Sequence, residues 1–249
     1  MGAFFRKEEN DVEIEPHNIV LMGPTGSTKS SYINSVTSLC CGKYMCPAIV
    51  GGSSNHVTQA VKVYRMRDTR NIFSPFRLWD LWGISNEQNN FQDLFVQQVM
   101  EGKLPRGTNI NQGLVAEDNL NEMRKPSAVI FFVPIDLMMC ESALLDKLIR
   151  ISKLIGKDKL VVVLSKIDTS FPNFKFQPAT DNTQIFKSYP QLYECIKKAI
   201  NLFNTNKVFP LINILSIEEA LTHDDYSFKN QYNIYKILLE AVSTSLRFK

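Results

Sequence analysis

The sequence has no long apolar run and no block of charge of one sign. Its longest apolar stretches, 128–133 and 160–164, are far shorter than the roughly 20 residues that cross a bilayer. The formal net charge is only +3, and no five like charges follow one another. A surface for nucleic acid or an anionic membrane is therefore not indicated. We expect a protein with no transmembrane segment and no nucleic-acid partner.

Cysteine is scarce, and its pattern predicts neither a disulfide framework nor a metal site. The five cysteines are odd in number and no secretory signal precedes them, which favours a reducing, cytoplasmic location. Those at 40, 41 and 46 lack the C-x-x-C or histidine partner that a zinc site needs. Residues 1–16 are too charged for a signal peptide and are expected to be a short leader. Residues 17–249 are expected to form a single domain.

The most informative stretch, residues 18–34, runs from an apolar strand through a glycine-bearing turn into a helix. From Gly23 to Ser30 it reads Gly-Pro-Thr-Gly-Ser-Thr-Lys-Ser. This fits the pattern G-x-x-x-x-G-K-[ST] at every fixed position except Thr28, which stands where the last glycine belongs. In such a loop, backbone N–H groups at a helix N-terminus wrap a polyphosphate. We call residues 23–30 the candidate phosphate loop.

The side chains of this loop suggest separate roles. Lys29 is expected to reach the β- and γ-phosphates as a mobile cation with a part in catalysis, and the Ser30 hydroxyl to bind Mg²⁺. Thr28 leaves two alternatives open, since its Cβ could crowd the phosphates or its hydroxyl could add a donor. The other nucleotide contacts expected here are Gly23, Thr25, Gly26, Ser27 and Ser31.

The rest of the chain alternates between strand and helix patterns. Strands are predicted at 56–66, 76–81, 128–133, 160–164 and 208–215, and helices at 29–38, 91–100, 140–155, 189–203 and 232–247. Such alternation favours an α/β fold with a mostly parallel sheet and helices on both faces.

Two further motifs fall at predicted strand ends, where an open α/β sheet places its ligand site. Asp80-Leu-Trp-Gly83 supplies a carboxylate that can hold Mg²⁺ through water, and a glycine whose N–H can approach the γ-phosphate. Ser165-Lys-Ile-Asp168 supplies an aspartate that can accept two N–H bonds from guanine. The aliphatic stem of Lys166 can cover the base. Ser216, at the end of the last predicted strand, completes the expected nucleotide contacts.

The order of these motifs resembles that of the P-loop GTPases, and among them the interferon-induced protein 44 family. That family carries G-P-x-G-x-G-K-S-S followed by a Phe- or Tyr-containing N-S-V. Residues 23–31 match the first pattern except at Thr28, and residues 32–36 match the second. The resemblance continues in Ala48-Ile-Val-Gly51 and in Met100-Glu-Gly-Lys-Leu-Pro105. It implies a three-layer P-loop GTPase fold, GTP or GDP with Mg²⁺ as ligands, and a role as a nucleotide-dependent switch or assembly module.

Within that resemblance, Thr58 is the best candidate for the catalytic switch threonine that completes the Mg²⁺ shell, with Ser53 and Ser54 as alternatives. Many small GTPases place a water-orienting glutamine directly after D-x-x-G, where this chain has Ile84. We therefore expect slow GTP hydrolysis unless Gln88 folds back, with stimulation by a homodimer or protein partner across the nucleotide face. The alternatives are a nucleotide-independent interaction scaffold of the same fold and an ATP-dependent enzyme.

Overall fold

The computed structural model of the chain describes residues 16–50, 60–68, 72, 74–85, 89–103, 125–174, 188–212 and 225–246. Within these ranges the fold is α/β, as the alternating pattern predicts. The strands are β1 (His17–Met22), β2 (Lys62–Tyr64), β3 (Phe76–Asp80), β4 (Ala128–Pro134), β5 (Leu160–Ser165) and β6 (Val208–Pro210). The helices are α1 (Lys29–Cys41), α2 (Asn89–Glu101), α3 (Ile135–Met139), α4 (Ala143–Ile155), α5 (Ile167–Ser170), α6 (Pro190–Phe203) and α7 (Asp225–Leu246).

The strands form one mixed sheet in the order β2-β3-β1-β4-β5-β6. β2 runs antiparallel to β3, and the other pairs of neighbours are parallel. β1 lies inside the sheet, with Leu21 opposite Asp80 of β3 on one side and Ile130 of β4 on the other. The segments that follow β1, β3 and β5 therefore all leave the sheet at the same edge, where open α/β sheets bind ligands.

Two buried clusters cover the two faces of the sheet. Side chains of β1 alternate between them, with Ile19 and Leu21 in one cluster and Val20 and Met22 in the other. Residues of α1 and α7 complete the first cluster, and residues of α2, α4 and α6 complete the second. The described part of the chain is thus arranged in three layers, with helices on both faces of the sheet.

Two element boundaries differ from the sequence predictions for identifiable reasons. The helix predicted at 140–155 begins only at Ala143 as α4, and a separate short helix that was not predicted, α3, precedes it and ends at Met139. The Ser142 hydroxyl accepts a hydrogen bond from the Leu145 N–H at 3.1 Å, which is an ordinary N-cap. The strand predicted at 208–215 ends at Pro210, a residue that has no N–H to donate to a ladder.

Further boundaries shift by several residues. α1 continues three residues beyond the predicted end and stops at Gly42, which has φ 63°. α7 begins at Asp225 rather than at residue 232. Of the strand predicted at 56–66, the described residues form only Lys62–Tyr64.

The longest described helix, α7, packs on the sheet through one apolar stripe. Ile234, Ile237 and Ala241 are fully buried, whereas Leu246 at the end of the same stripe is exposed. Among the helices in the described ranges, neither this one nor any other is both long and apolar enough to cross a membrane.

Candidate functional site

The candidate phosphate loop connects β1 to α1 at the carboxyl edge of the sheet. Gly23 (φ 149°) and Gly26 (φ 71°) have backbone conformations that favour glycine. A Cβ on Gly23 would lie 2.4 Å from the carbonyl oxygen of Phe132 in β4, so a side chain does not fit there. The first N–H groups of α1 have no acceptor within the helix, and a helix N-terminus favours an anion. The two glycines and the helix N-terminus are thus compatible with the predicted phosphate-binding role of the loop.

Thr28 adopts the left-handed conformation, with φ 69° and ψ 19°, directly before α1. The loop pattern has glycine here, and a residue with a Cβ in this conformation costs about 1–2 kcal/mol. The hydroxyl oxygens of Thr28 and Ser27 are buried, and neither has a hydrogen-bond partner among the described residues. Buried polar atoms without partners reduce stability until water or a ligand satisfies them. These two hydroxyl groups are suited to an oxygen-rich ligand.

Lys29 is buried, and its side chain folds back against the start of the candidate phosphate loop. Its Nζ donates to the carbonyl oxygens of Gly23 at 3.1 Å and of Pro24 at 3.0 Å. Burial lowers the pKa of Lys29 to about 8, although the negative charge of Asp80 acts to raise it. The site thus contains a desolvated cation whose hydrogen-bond partners among the described residues are backbone carbonyl groups of the loop, with the Asp80 carboxylate nearby. An anion entering the loop would be a stronger partner.

The end of β3 lies beside the candidate phosphate loop. The Ser30 hydroxyl donates to Oδ2 of Asp80 at 3.2 Å, and Asp80 is only 1% exposed. Hydroxyl and carboxylate oxygens are the hard ligands that Mg²⁺ prefers, and Mg²⁺ commonly takes one or two protein side chains together with phosphate oxygens and water. The two residues predicted to bind Mg²⁺ within the described part of the chain are therefore adjacent.

The residues that follow β3, which we call the 81–85 segment, lie directly on the candidate phosphate loop. A Cβ on Gly83 would lie 2.4 Å from both the N and Cα atoms of Thr25, so close approach requires glycine at that position. The Ile84 N–H donates to the Gly23 carbonyl at 3.0 Å, and the Ile84 carbonyl accepts from the Thr25 N–H at 3.3 Å. Ile84 is also part of a buried apolar cluster. The 81–85 segment and the loop therefore form one packed unit.

The motif predicted to recognise guanine follows β5. β5 ends at Ser165, whose buried hydroxyl has no hydrogen-bond partner in the described part of the chain. Lys166 is left-handed, with φ 59°, and Asp168 is exposed in the first turn of α5. β4 alone separates β5 from β1, so the motif lies at the same sheet edge as the loop, one strand away.

Several predicted site residues lie outside the described residues. They are Thr58 with its alternatives Ser53 and Ser54, together with Gln88 and Ser216. Their roles stay predictions. Ser31, the last predicted contact of the loop, is buried in the first turn of α1.

Asn34 is a structural residue of the site that sequence reasoning did not assign. Its Nδ2 donates to the Ala48 carbonyl at 2.9 Å, and its Oδ1 accepts from the Ala48 N–H at 2.8 Å. The bond pair fixes the chain that follows α1 against the helix that begins at the loop. The sequence did contain a signal for this pair, because Asn34 and Ala48 lie in the N-S-V and A-I-V-G stretches that carry the family resemblance.

Comparison with known proteins gives similarity over part of the chain. No protein-family model matches. The chain is 38% identical over 71 residues to human "Interferon-induced protein 44-like", which is 28% of this chain and 16% of that protein. It is 32% identical over 85 residues to human "Interferon-induced protein 44", covering 33% of this chain and 19% of that protein. It is 28% identical over 92 residues to "Interferon-induced protein 44" of Pan troglodytes, covering 36% of this chain and 21% of that protein.

The matched stretches thus amount to between 16 and 21% of the lengths of these relatives. They support the resemblance to the interferon-induced protein 44 family for about a third of the chain.

Thr28→Gly is expected to stabilise the ligand-free protein by about 1 kcal/mol. It relieves about 1–2 kcal/mol of left-handed strain, and glycine's extra freedom in the unfolded chain offsets part of that gain. The Thr28 hydroxyl has no hydrogen-bond partner in the part of the chain that the structure describes, so its removal adds no loss. Denaturant unfolding followed by circular dichroism measures the change.

Asn204→Gly provides the matched control, because Asn204 is also left-handed (φ 50°) but lies at the C-terminus of α6. Asparagine tolerates this conformation, so the gain there should be smaller. A loss of stability in Thr28→Gly would contradict the strain argument.

The pKa of Lys29 predicts how stability depends on pH. Because the folded-state pKa is about 8, below the ordinary 10.5, the unfolded chain binds a proton that the folded chain lacks between these pH values. Stability contributed by this group should therefore rise as pH increases from about 8 to 10.5. Unfolding free energies measured across this range should show the rise in the wild type and lose it in Lys29→Met.

Lys43→Met, at an exposed position just beyond α1, is the control that should keep the wild-type slope. An identical pH dependence in Lys29→Met and wild type would show that Lys29 is not desolvated.

Proposed function

We propose that this chain binds a guanine nucleotide with Mg²⁺ and hydrolyses GTP slowly, as a nucleotide-dependent switch or assembly module. The observation that carries the proposal is the convergence on one loop of a desolvated lysine, a serine–aspartate pair and two buried hydroxyl groups that have no hydrogen-bond partner among the described residues. A polyphosphate with its Mg²⁺ ion satisfies all of these groups at once. The partial similarity to interferon-induced protein 44 supports the same class of protein.

In this function the residues of the loop have distinct roles. The N–H groups at the start of α1 would hold phosphate oxygens, and Lys29 would bind the β- and γ-phosphates in place of its carbonyl partners. Ser30 and Asp80 would hold Mg²⁺, and Thr58, which lies outside the described residues, is proposed as a further ligand. Bound Mg²⁺ would neutralise negative charge on the phosphates.

Base choice depends on the end of β5. Asp168 is exposed at the ligand edge of the sheet and can accept both N–H bonds that guanine offers, whereas adenine offers no such pair. The stem of Lys166 covers the base, and the buried Ser165 hydroxyl lies immediately before it in the chain.

Calorimetric titration with GTP, GDP and ATP, with and without Mg²⁺, tests the function. Guanine nucleotides should bind roughly 100-fold or more tightly than ATP, because a site built for a donor pair rejects a base that lacks it. Asp168→Asn should weaken guanine binding and favour xanthine, and Lys29→Ala should remove most of the affinity that depends on phosphate.

Asp158→Asn is the control, since Asp158 is exposed before β5 at the opposite edge of the sheet. Equal affinity for ATP and GTP would show that the base assignment is wrong, and retained GTP binding in Lys29→Ala would contradict the phosphate-loop assignment.

A nucleotide-independent interaction scaffold is the second candidate function. Two observations favour it: Thr28 carries a Cβ where the loop pattern has glycine, and the Thr25 N–H is already bonded to Ile84. Crowding predicts that Thr28→Gly tightens nucleotide binding, whereas a hydroxyl contact to phosphate predicts no change or a loss. Absence of binding in both the wild type and Thr28→Gly would favour the scaffold.

Hydrolysis by the isolated chain is expected to be slow. Ile84 occupies the position of the water-orienting glutamine, but its side chain is only 8% exposed and both of its backbone polar groups are bonded to the loop. Without an oriented water, turnover should be on the order of 10⁻³ per second or less. Single-turnover phosphate release, with Lys29→Ala as the inactive baseline, measures the rate.

The same measurement across protein concentrations tests where stimulation comes from. A rate that rises with concentration would indicate that a second copy supplies the missing group across the nucleotide face. A fast rate that does not depend on concentration would contradict the role assigned to Ile84.

A further inference from the structure

The 81–85 segment is held by α4 as well as by the loop. Nζ of Lys147, in the second turn of α4, donates to the carbonyl oxygen of Ser85 at 2.5 Å. Lys147 is only 6% exposed, although a lysine on a helix ordinarily keeps its ammonium group in water. One turn later Arg150 forms an ion pair with Asp93 of α2 at 3.2 Å. α4 therefore contacts both the segment and the helix that follows it.

Side chains of α2 pack against the core-facing side of the 81–85 segment, so the segment has no room to move toward the core. The Trp82 ring stacks on Phe95 of α2 with 4.1 Å between ring centroids. The cavity enclosed between the segment, Gly23 and α2 has a volume of about 10 Å³, at the lower limit for a single water molecule. Any movement that makes room between the segment and the loop must therefore be outward, away from Phe95.

On its other side the segment touches the loop, where a third phosphate would have to enter. In a phosphate-loop protein the glycine of D-x-x-G approaches the γ-phosphate. Here Gly83 is already in contact with Thr25, and Ile84 is hydrogen-bonded to Gly23 and to Thr25. In the proposed function a γ-phosphate would lie at this contact, so its entry would require the contact to open, whereas a diphosphate would end before it.

We propose that Lys147 is a positioning residue that holds the 81–85 segment closed on the candidate phosphate loop, so that a nucleoside triphosphate must open the segment and a diphosphate need not. The nucleotide part rests on the proposed function. The positioning part concerns the ligand-free chain alone. Because Lys147 bonds to a backbone carbonyl, any residue with a long aliphatic stem and a cationic donor can replace it in part.

Three variants separate the ammonium group from the rest of the side chain. Lys147→Met keeps the stem and removes the donor, and Lys147→Arg keeps a cationic donor. Lys153→Met is the control, since Lys153 is exposed on the same helix. Circular dichroism checks that each variant folds, and Lys147→Gln replaces Lys147→Met if the latter does not.

Hydrogen exchange of the nucleotide-free protein tests the positioning part. The N–H groups of Thr25 and Ile84 are bonded in the closed segment, so their exchange reports opening. Lys147→Met should exchange at these positions roughly tenfold faster than the wild type, since a hydrogen bond to a charged donor is lost. Lys147→Arg and Lys153→Met should stay close to the wild type. Unchanged exchange in Lys147→Met would overturn the proposal.

Affinities for GDP and a non-hydrolysable GTP analogue test the nucleotide part. Lys147→Met should raise the affinity for the analogue relative to GDP by roughly tenfold, because opening the closed segment then costs correspondingly less free energy. Faster exchange with an unchanged affinity ratio would overturn this part. If the wild type binds neither nucleotide, the proposed function fails and hydrogen exchange alone decides the positioning role. In that case the nucleotide part of the proposal is overturned unless Lys147→Met binds the GTP analogue.

Discussion

The parallel register of β1 and β3 is the constraint on which the candidate site depends. With Leu21 opposite Asp80, β3 ends just as the chain leaves β1 for the loop. Leu78 and Asp80 lie on the face of the sheet that α1 covers, which is why the carboxylate meets Ser30. A slip of one residue would turn Asp80 to the opposite face.

The strained loop is held in place by packing further along α1. The Thr28 carbonyl accepts the Tyr32 N–H at 3.0 Å, so the left-handed residue is tied to the first turn of the helix. Tyr32 is fully buried, its ring meets Phe132 edge-on, and its hydroxyl donates to the Ile234 carbonyl of α7. Displacing the start of α1 would disturb all of these contacts. Strain at one residue persists when its surroundings determine the backbone in this way.

What the sequence could predict follows from how far apart the interacting residues lie. The strand, turn and helix at the loop are local patterns, and so are the polar turns after β3 and β5. The α3–α4 break and the end of β6 also had local signals, in Ser142 as an N-cap and in Pro210, which the apolar periodicity obscured. By contrast, Lys147 and Ser85 are 62 residues apart, and no spacing rule connects them. The Asn34–Ala48 pair became visible only as two separate fragments of the family resemblance.

The backbone pairing of Ile84 with the loop both fixes the position of Ile84 and keeps the 81–85 segment closed on the loop. The pairing fixes the main chain of Ile84, and the buried cluster fixes its side chain, so this residue cannot turn toward an attacking water without breaking both. The same pairing closes the loop at Gly83. The Ile84 side chain has no polar group that could orient a water, whether the segment is closed or has been opened by a triphosphate. In the proposed function, faster hydrolysis would therefore need a polar group from outside the unit, and the exposed ligand edge of the sheet is where such a group could reach the phosphates.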